Sequence, residues 1–191
     1  MASTAVAGQV LDGSNPAVAR VRQLVGGRQE YSPDGWSRCW EEGVTPWDLG
    51  QPTPAVVELV KSGTLPGDGA TVLVPGCGAG YDVVALSGPG RFVVGLDICE
   101  TAVAKAKQWS AAAAGGDESL FAFVAADFFT WEPPERFDLI FDYTYEEVLK
   151  PLGFVITCIQ DNHVAVKPRQ GMEKIAKWKR MANPTDPDSA Q

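Results

Sequence analysis

The chain has 191 residues, with 24 acidic and 16 basic side chains, a formal net charge of −8 and 45% apolar residues. That length fits one domain able to remove roughly 70% of its unfolded surface from water. The acidic balance repels phosphate backbones, so a nucleic-acid partner is excluded from the expected readings.

Four cysteines form no Cys-x-x-Cys pair, and a lone His163 completes no zinc set. No metal is expected, and the thiols read as reduced. No apolar run reaches membrane-spanning length. Residues 1–10 carry neither the charged nor the apolar block of a secretory signal. A cytoplasmic protein without membrane contact is expected.

Residues 1–30 read as a partly disordered N-terminal extension with a short helix over Val18–Leu24. A helix over Trp36–Gly43 follows, and Pro52 and Pro54 open another that runs to Val60. From Thr71 the rhythm becomes strand–helix–strand. Strands are expected at Thr71–Pro75, Phe92–Leu96, Phe121–Ala125 and Phe137–Phe141. Helices are expected at Tyr81–Leu86 and Thr101–Ala114. Short strands that are apolar throughout imply a parallel sheet covered on both faces, hence an α/β three-layer sandwich. Beyond Phe141 the pattern predicts a helix at Tyr145–Leu149. Two hairpin strands, Phe154–Ile159 and His163–Val166, are expected around an Asp161-Asn162 turn, then a basic helix over Gly171–Met181. The main domain is expected over residues 31–181, with a disordered Pro/Asp/Ser-rich tail at 182–191.

Three motifs stand at successive strand tips. Gly76-Cys-Gly78-Ala-Gly80 follows the first strand and precedes a helix, where glycine permits a tight turn and close approach of a ligand to the backbone. Its Gly-x-Gly-x-Gly spacing differs from the Gly-x-Gly-x-x-Gly of dinucleotide sites and suits S-adenosylmethionine, which has no pyrophosphate. Asp97 ends the second strand, placed to accept two ribose hydroxyls. Asp127-Phe128 follows the third strand, a carboxylate for an adenine amino group and a ring to cover the base. Trp36 and Trp40 stand four residues apart on one helix face. With Trp47 they could form an aromatic lid that attracts a sulfonium cation.

The stretches Gly35-Trp-Ser-Arg-Cys-Trp-Glu-Glu-Gly-Val-Thr-Pro-Trp-Asp, Val74-Pro-Gly-Cys-Gly-Ala-Gly-Tyr-Asp, Gly95-Leu-Asp-Ile and Phe137-Asp-Leu-Ile-Phe-Asp-Tyr-Thr resemble the plant thiol methyltransferases. These are also called halide or thiocyanate methyltransferases and are relatives of thiopurine methyltransferase. The resemblance implies a Rossmann-like class I fold with S-adenosylmethionine as cofactor. It implies a small thiol or inorganic anion as methyl acceptor, and a cofactor site lined by Trp36, Trp40, Trp47, Gly76, Asp97, Asp127, Phe128 and Tyr143. Soft anions need little general-base help, in keeping with the lack of a Ser–His–Asp or Cys–His set; alignment and desolvation would carry the reaction. No catalytic residue is assigned, and the oligomeric state is left open.

The resemblance has a break. Asp142-Tyr143-Thr144 runs straight into Tyr145-Glu-Glu-Val-Leu, where the family inserts a helix, a fifth strand and the start of another helix, roughly 40–50 residues. The sheet is therefore expected to be incomplete, with the fourth strand an apolar edge unless the hairpin slides over to pair with it. The acceptor half of the pocket is expected to be damaged. The alternative is a non-catalytic cofactor-binding or partner-binding protein on the same fold.

Overall fold

The computed structural model describes residues 11–26, 33–113, 118–142, 150 and 154–180. The calls at Tyr145–Leu149 and 182–191 lie outside them, as do residues 1–10 and the Thr144–Tyr145 junction.

Helix α1 spans Pro16–Val25. Asn15 caps it by accepting from the Ala17 N–H at 2.9 Å, and Pro16 occupies the first turn. It packs on α2, Pro33–Glu41, and Arg20 forms a two-pronged ion pair with Glu42 at 3.0 and 2.9 Å. The close approach of the helices requires Gly35, where a Cβ would stand 2.7 Å from the Leu24 carbonyl oxygen. Helix α3, Pro54–Lys61, starts at Thr53, whose N–H donates to Asp82 at 2.7 Å.

Strands β1 (Ala70–Pro75), β2 (Arg91–Asp97), β3 (Phe121–Ala125) and β4 (Leu139–Ile140) form one parallel sheet in the order β3-β2-β1-β4. Helices α4 (Tyr81–Leu86) and α5 (Glu100–Ala113) connect its first three strands. The order reverses between β1 and β4, and at such a switch point ligands bind beyond the carboxyl ends of the strands.

Register decides which side chains share a face. Val72 lies opposite Val93 and Leu139, and Val93 opposite Phe121. Val72, Val74, Val93, Phe121 and Phe123 thus form one apolar surface, buried against Val56 of α3, Val83 and Leu86 of α4, and Val103 and Ala106 of α5. The opposite face is less covered. Leu73 and Leu96 are buried there, but Phe92 and Ile140 remain 37% and 38% exposed. Val94, Ala122 and Val124 are half-buried.

Three expectations are corrected. Strand β4 pairs over only two residues rather than over Phe137–Phe141, although the Asp138 and Phe141 N–H groups donate to β1 carbonyls at 3.0 and 2.8 Å. His163–Val166 is not a strand. The Asn162 side chain accepts from the Val164 N–H at 3.2 Å, its carbonyl accepts from Ala165, and the chain enters a short 3-10 turn at Lys167–Arg169.

The basic segment expected as a helix is instead strand β6, Lys174–Arg180, antiparallel to β5, Phe154–Asp161. Its Lys and Ala residues favour a helix. The β-branched run Val155-Ile-Thr in β5 supplies a backbone ladder that overrides that preference. Among the described residues the β5–β6 hairpin forms a separate two-stranded sheet and does not pair with β4.

Gly80 opens α4 at φ 78°, and a Cβ there would fall 2.6 Å from the Phe123 ring and 2.9 Å from Ala106. Gly80→Ala therefore adds left-handed strain and a core clash, together about 3 kcal/mol, or a Tm loss of roughly 10 °C at this length. Gly43→Ala is the control: φ is 67° with nothing within 4 Å, so strain alone, about 1 kcal/mol, is expected. Equal melting of the two variants by circular dichroism would refute the packing role.

Candidate functional site: a glycine loop clasped by Asp97

The loop between β1 and α4 turns through three left-handed glycines, Gly76, Gly78 and Gly80, at φ 60°, 54° and 78°. Gly76 is exposed at the strand tip, so its backbone faces open space. The Gly78 N–H donates to Asp97 Oδ2 at 2.9 Å, and the Cys99 N–H donates to Asp97 Oδ1 at 2.9 Å. One carboxylate thus fixes the loop after β1 and the turn after β2. Each oxygen keeps a lone pair for a further donor.

Asp97 is mostly buried, and burial pushes its carboxyl above the ordinary aspartate value, with the Cys99 and Gly78 N–H groups pulling part of the way back. Cys77, inside the loop, is pushed up by burial and then by the charge of Asp97, so its thiol stays protonated and is no nucleophile.

The third tip joins through the Ala126 N–H, which donates to the Asp97 carbonyl at 2.9 Å. Asp127 follows directly, half-buried, its Oδ1 accepting from the Phe129 N–H at 2.9 Å. The Phe128 ring meets Phe129 edge-on at 5.5 Å.

Above the loop sits the tryptophan cluster. Trp47 meets Trp36 and Trp40 edge-on, with centroids 5.5 and 6.3 Å apart. A Cβ on Gly78 would stand 3.4 Å from Cζ2 of Trp40, in van der Waals contact with the ring, and would be strained by the left-handed φ of 54°. Helix α2 is held down at a second point, where Ser37 Oγ lies 3.4 Å from the fully buried Cys99 sulfur.

Seven of the eight residues singled out in the sequence lie on the strand tips (Gly76, Asp97, Asp127, Phe128), on α2 (Trp36, Trp40) or in the turn after α2 (Trp47). Tyr143 lies outside the described residues. Sequence reasoning passed over Ser37, Cys99 and Lys105. Lys105 Nζ lies 5.0 Å over the Trp40 ring and donates to the Trp40 carbonyl at 3.3 Å. Arg169, from the hairpin connection, donates to the Trp47 carbonyl at 3.4 Å.

Residues 31–149 match the family described as thiopurine S-methyltransferase. The chain belongs to the thiopurine S-methyltransferase family. It is 43% identical over 201 positions to a probable thiol methyltransferase 2 of Arabidopsis thaliana, covering 79% of this chain and 87% of the relative. It is 40% identical over 196 positions to thiocyanate methyltransferase 1 of Brassica oleracea, covering 77% and 85%. Among solved structures it is similar to the magnesium protoporphyrin IX methyltransferase of Synechocystis PCC 6803 with bound S-adenosylmethionine. The identity there is 20% and the TM-score 0.44, covering 75% of this chain and 83% of that one. It is also similar to a structure solved for the conversion of a disulfide bond into a thioacetal group during echinomycin biosynthesis. There the identity is 35% and the TM-score 0.42, covering 64% of this chain and 45% of that one.

The fold is that of a Rossmann-like class I methyltransferase, with a four-stranded parallel sheet among the described residues, and the cofactor of the family is S-adenosylmethionine. The 201 aligned positions use 79% of the 191 residues here, about 151. About 50 positions of the Arabidopsis relative thus have no counterpart inside the matched span. That size agrees with the break expected at Thr144–Tyr145. No described helix is long and apolar enough to cross a membrane.

A raised folded-state pKa has two opposite consequences for Asp97. This group alone stabilises the ligand-free fold as pH falls from the folded pKa toward the ordinary 3.8. Over the same interval a ligand that donates to the carboxylate binds more weakly. The Kd for S-adenosylhomocysteine, read by calorimetry, is therefore expected to rise on acidification at a pH above 3.8. Asp97→Asn should bind about tenfold more weakly or worse and lose that pH dependence. A variant that keeps wild-type affinity removes Asp97 from the site.

Proposed function

We propose that the chain binds S-adenosylmethionine across the three strand tips and transfers its methyl group to a small soft nucleophile: a thiol, hydrosulfide, thiocyanate or halide. The observation that carries this reading is the Asp97 clasp on Gly78, in a chain of this family, with Trp40 closing over the same glycine. A loop held in shape before ligand arrives, a carboxylate with further accepting capacity beside it and an aromatic cover fit a nucleoside bearing a sulfonium. The names of the Arabidopsis and Brassica relatives support the acceptor class.

When bound, the cofactor supplies an electrophilic methyl group. The chain's own residues bind and orient. Asp97 accepts the ribose hydroxyls through its free lone pairs, and Asp127 accepts from the adenine amino group with Phe128 against the base. Trp36 and Trp47 exclude water above the loop. Tyr143, Gly76 and Trp40 complete the lining. Soft anions are nucleophilic without a base, so alignment and desolvation suffice. We place the protein in the cytoplasm, as a methyltransferase domain over residues 31–181.

A second reading has its own support. About 50 positions of the relative are missing, and the described sheet stops at β4. The missing part would shape the acceptor pocket, so turnover is expected to be weak or absent while cofactor binding persists. Two measurements divide the cases. Saturating S-adenosylhomocysteine, at about 100 times its Kd, should stabilise the fold by roughly 2.7 kcal/mol and shift the melt by several degrees. Headspace detection of methylated hydrosulfide, thiocyanate or iodide then reads turnover. A melt shift without product favours the non-catalytic binder, product at the rate of the full-length relatives overturns the expectation of impaired turnover, and no shift rejects the cofactor site.

A further inference from the structure

Lys105 sits on α5, one and a half turns into the helix after Asp97, yet its ammonium lies on the ring of Trp40 from α2. Its stem reaches across the α2–α5 packing, and Nζ is fixed at both ends of the residue it touches: 5.0 Å from the ring centroid and 3.3 Å from the main-chain carbonyl. The ring is 5% exposed and its Cζ2 edge abuts the Gly78 position. The Lys105 ammonium and the Trp40 ring thus pack beside the loop that Asp97 holds through Gly78, Trp40 sharing a buried cluster with Ala79 and Cys99.

An aromatic ring offers a cation its negative π face, and a ring that already holds one cation attracts a second less well. Lys105 therefore takes from Trp40 the role that an aromatic lid is expected to play toward a sulfonium, and adds a like charge nearby. We infer that Lys105 is a positioning residue acting through Trp40, one that sets the relative affinity of the site for the two charge states of its ligand, disfavouring the sulfonium of S-adenosylmethionine against the neutral thioether of S-adenosylhomocysteine. Trp36 and Trp47, edge-to-face at 5.5 Å, are then the rings left to meet the sulfonium. The inference rests on the cofactor assignment made above.

The test is a ratio of two dissociation constants, measured by calorimetry on the full chain with each ligand in turn. Lys105→Met keeps an aliphatic stem on the ring and removes the charge. Lys105→Gln is a second neutral variant, and Lys105→Arg keeps the charge. Both neutral variants are expected to improve binding of S-adenosylmethionine relative to S-adenosylhomocysteine, on the order of threefold at the high effective dielectric of a partly exposed site. Lys105→Arg should keep the wild-type ratio. If Lys105 only braces α2 against α5, the neutral variants weaken both ligands by the same factor and the ratio stays put, which overturns the inference. Wild-type protein that binds neither ligand would instead remove the cofactor assignment itself.

Discussion

The site hangs on one carboxylate that holds two turns at once. Asp97 accepts the Gly78 N–H with one oxygen and the Cys99 N–H with the other, so the loop after β1 and the turn after β2 cannot move apart without breaking a charge-assisted bond. The third tip is tied to the same residue through its carbonyl. The cost is visible in the carboxyl itself, which burial disfavours in its charged form. Two backbone donors offset part of that penalty and at the same time fix the loop in a shape that presents Gly76 outward. The group that fixes the loop is thus also the one proposed to bind the ligand.

Helix α2 is seated on this frame by contacts that have little to do with its own stability. Trp40 packs with Ala79 and Cys99, Ser37 meets Cys99, and Lys105 reaches over from α5. The helix is short, and its place follows from packing rather than propensity. Helix α1 then covers it, held by the Arg20–Glu42 pair and the contact at Gly35. Residues 16–25, from the segment read as an extension, thereby brace α2 and its tryptophans.

The parallel half was legible because burial writes itself into strands there. Val72-Leu-Val and Val93-Val-Gly-Leu are apolar throughout, as a sheet covered by helices demands. The Gly-x-Gly-x-Gly spacing and the acid at the next tip could be read for the same local reason. Lys105 and Cys99 could not, since their importance lies in contacts across helices that no short window records. The C-terminal half was misread where local preference and tertiary pairing disagree. Lys174-Ile-Ala-Lys-Trp-Lys-Arg has helical composition, and only a facing strand makes it extended. Asn162 ended the expected second hairpin strand by capturing a backbone amide with its side chain, a choice that alternation of apolar residues does not reveal.

Every described residue of the candidate cofactor site falls between Trp36 and Phe128. The order of synthesis matches the order of function. A nascent chain carries all of these groups before it reaches the junction at Thr144. The two turns held by Asp97 and the α2–α5 seat are wired by residues already made. In the proposed reading, the residues that hold the methyl donor thus form a unit of sequence separable from the segments that follow residue 144.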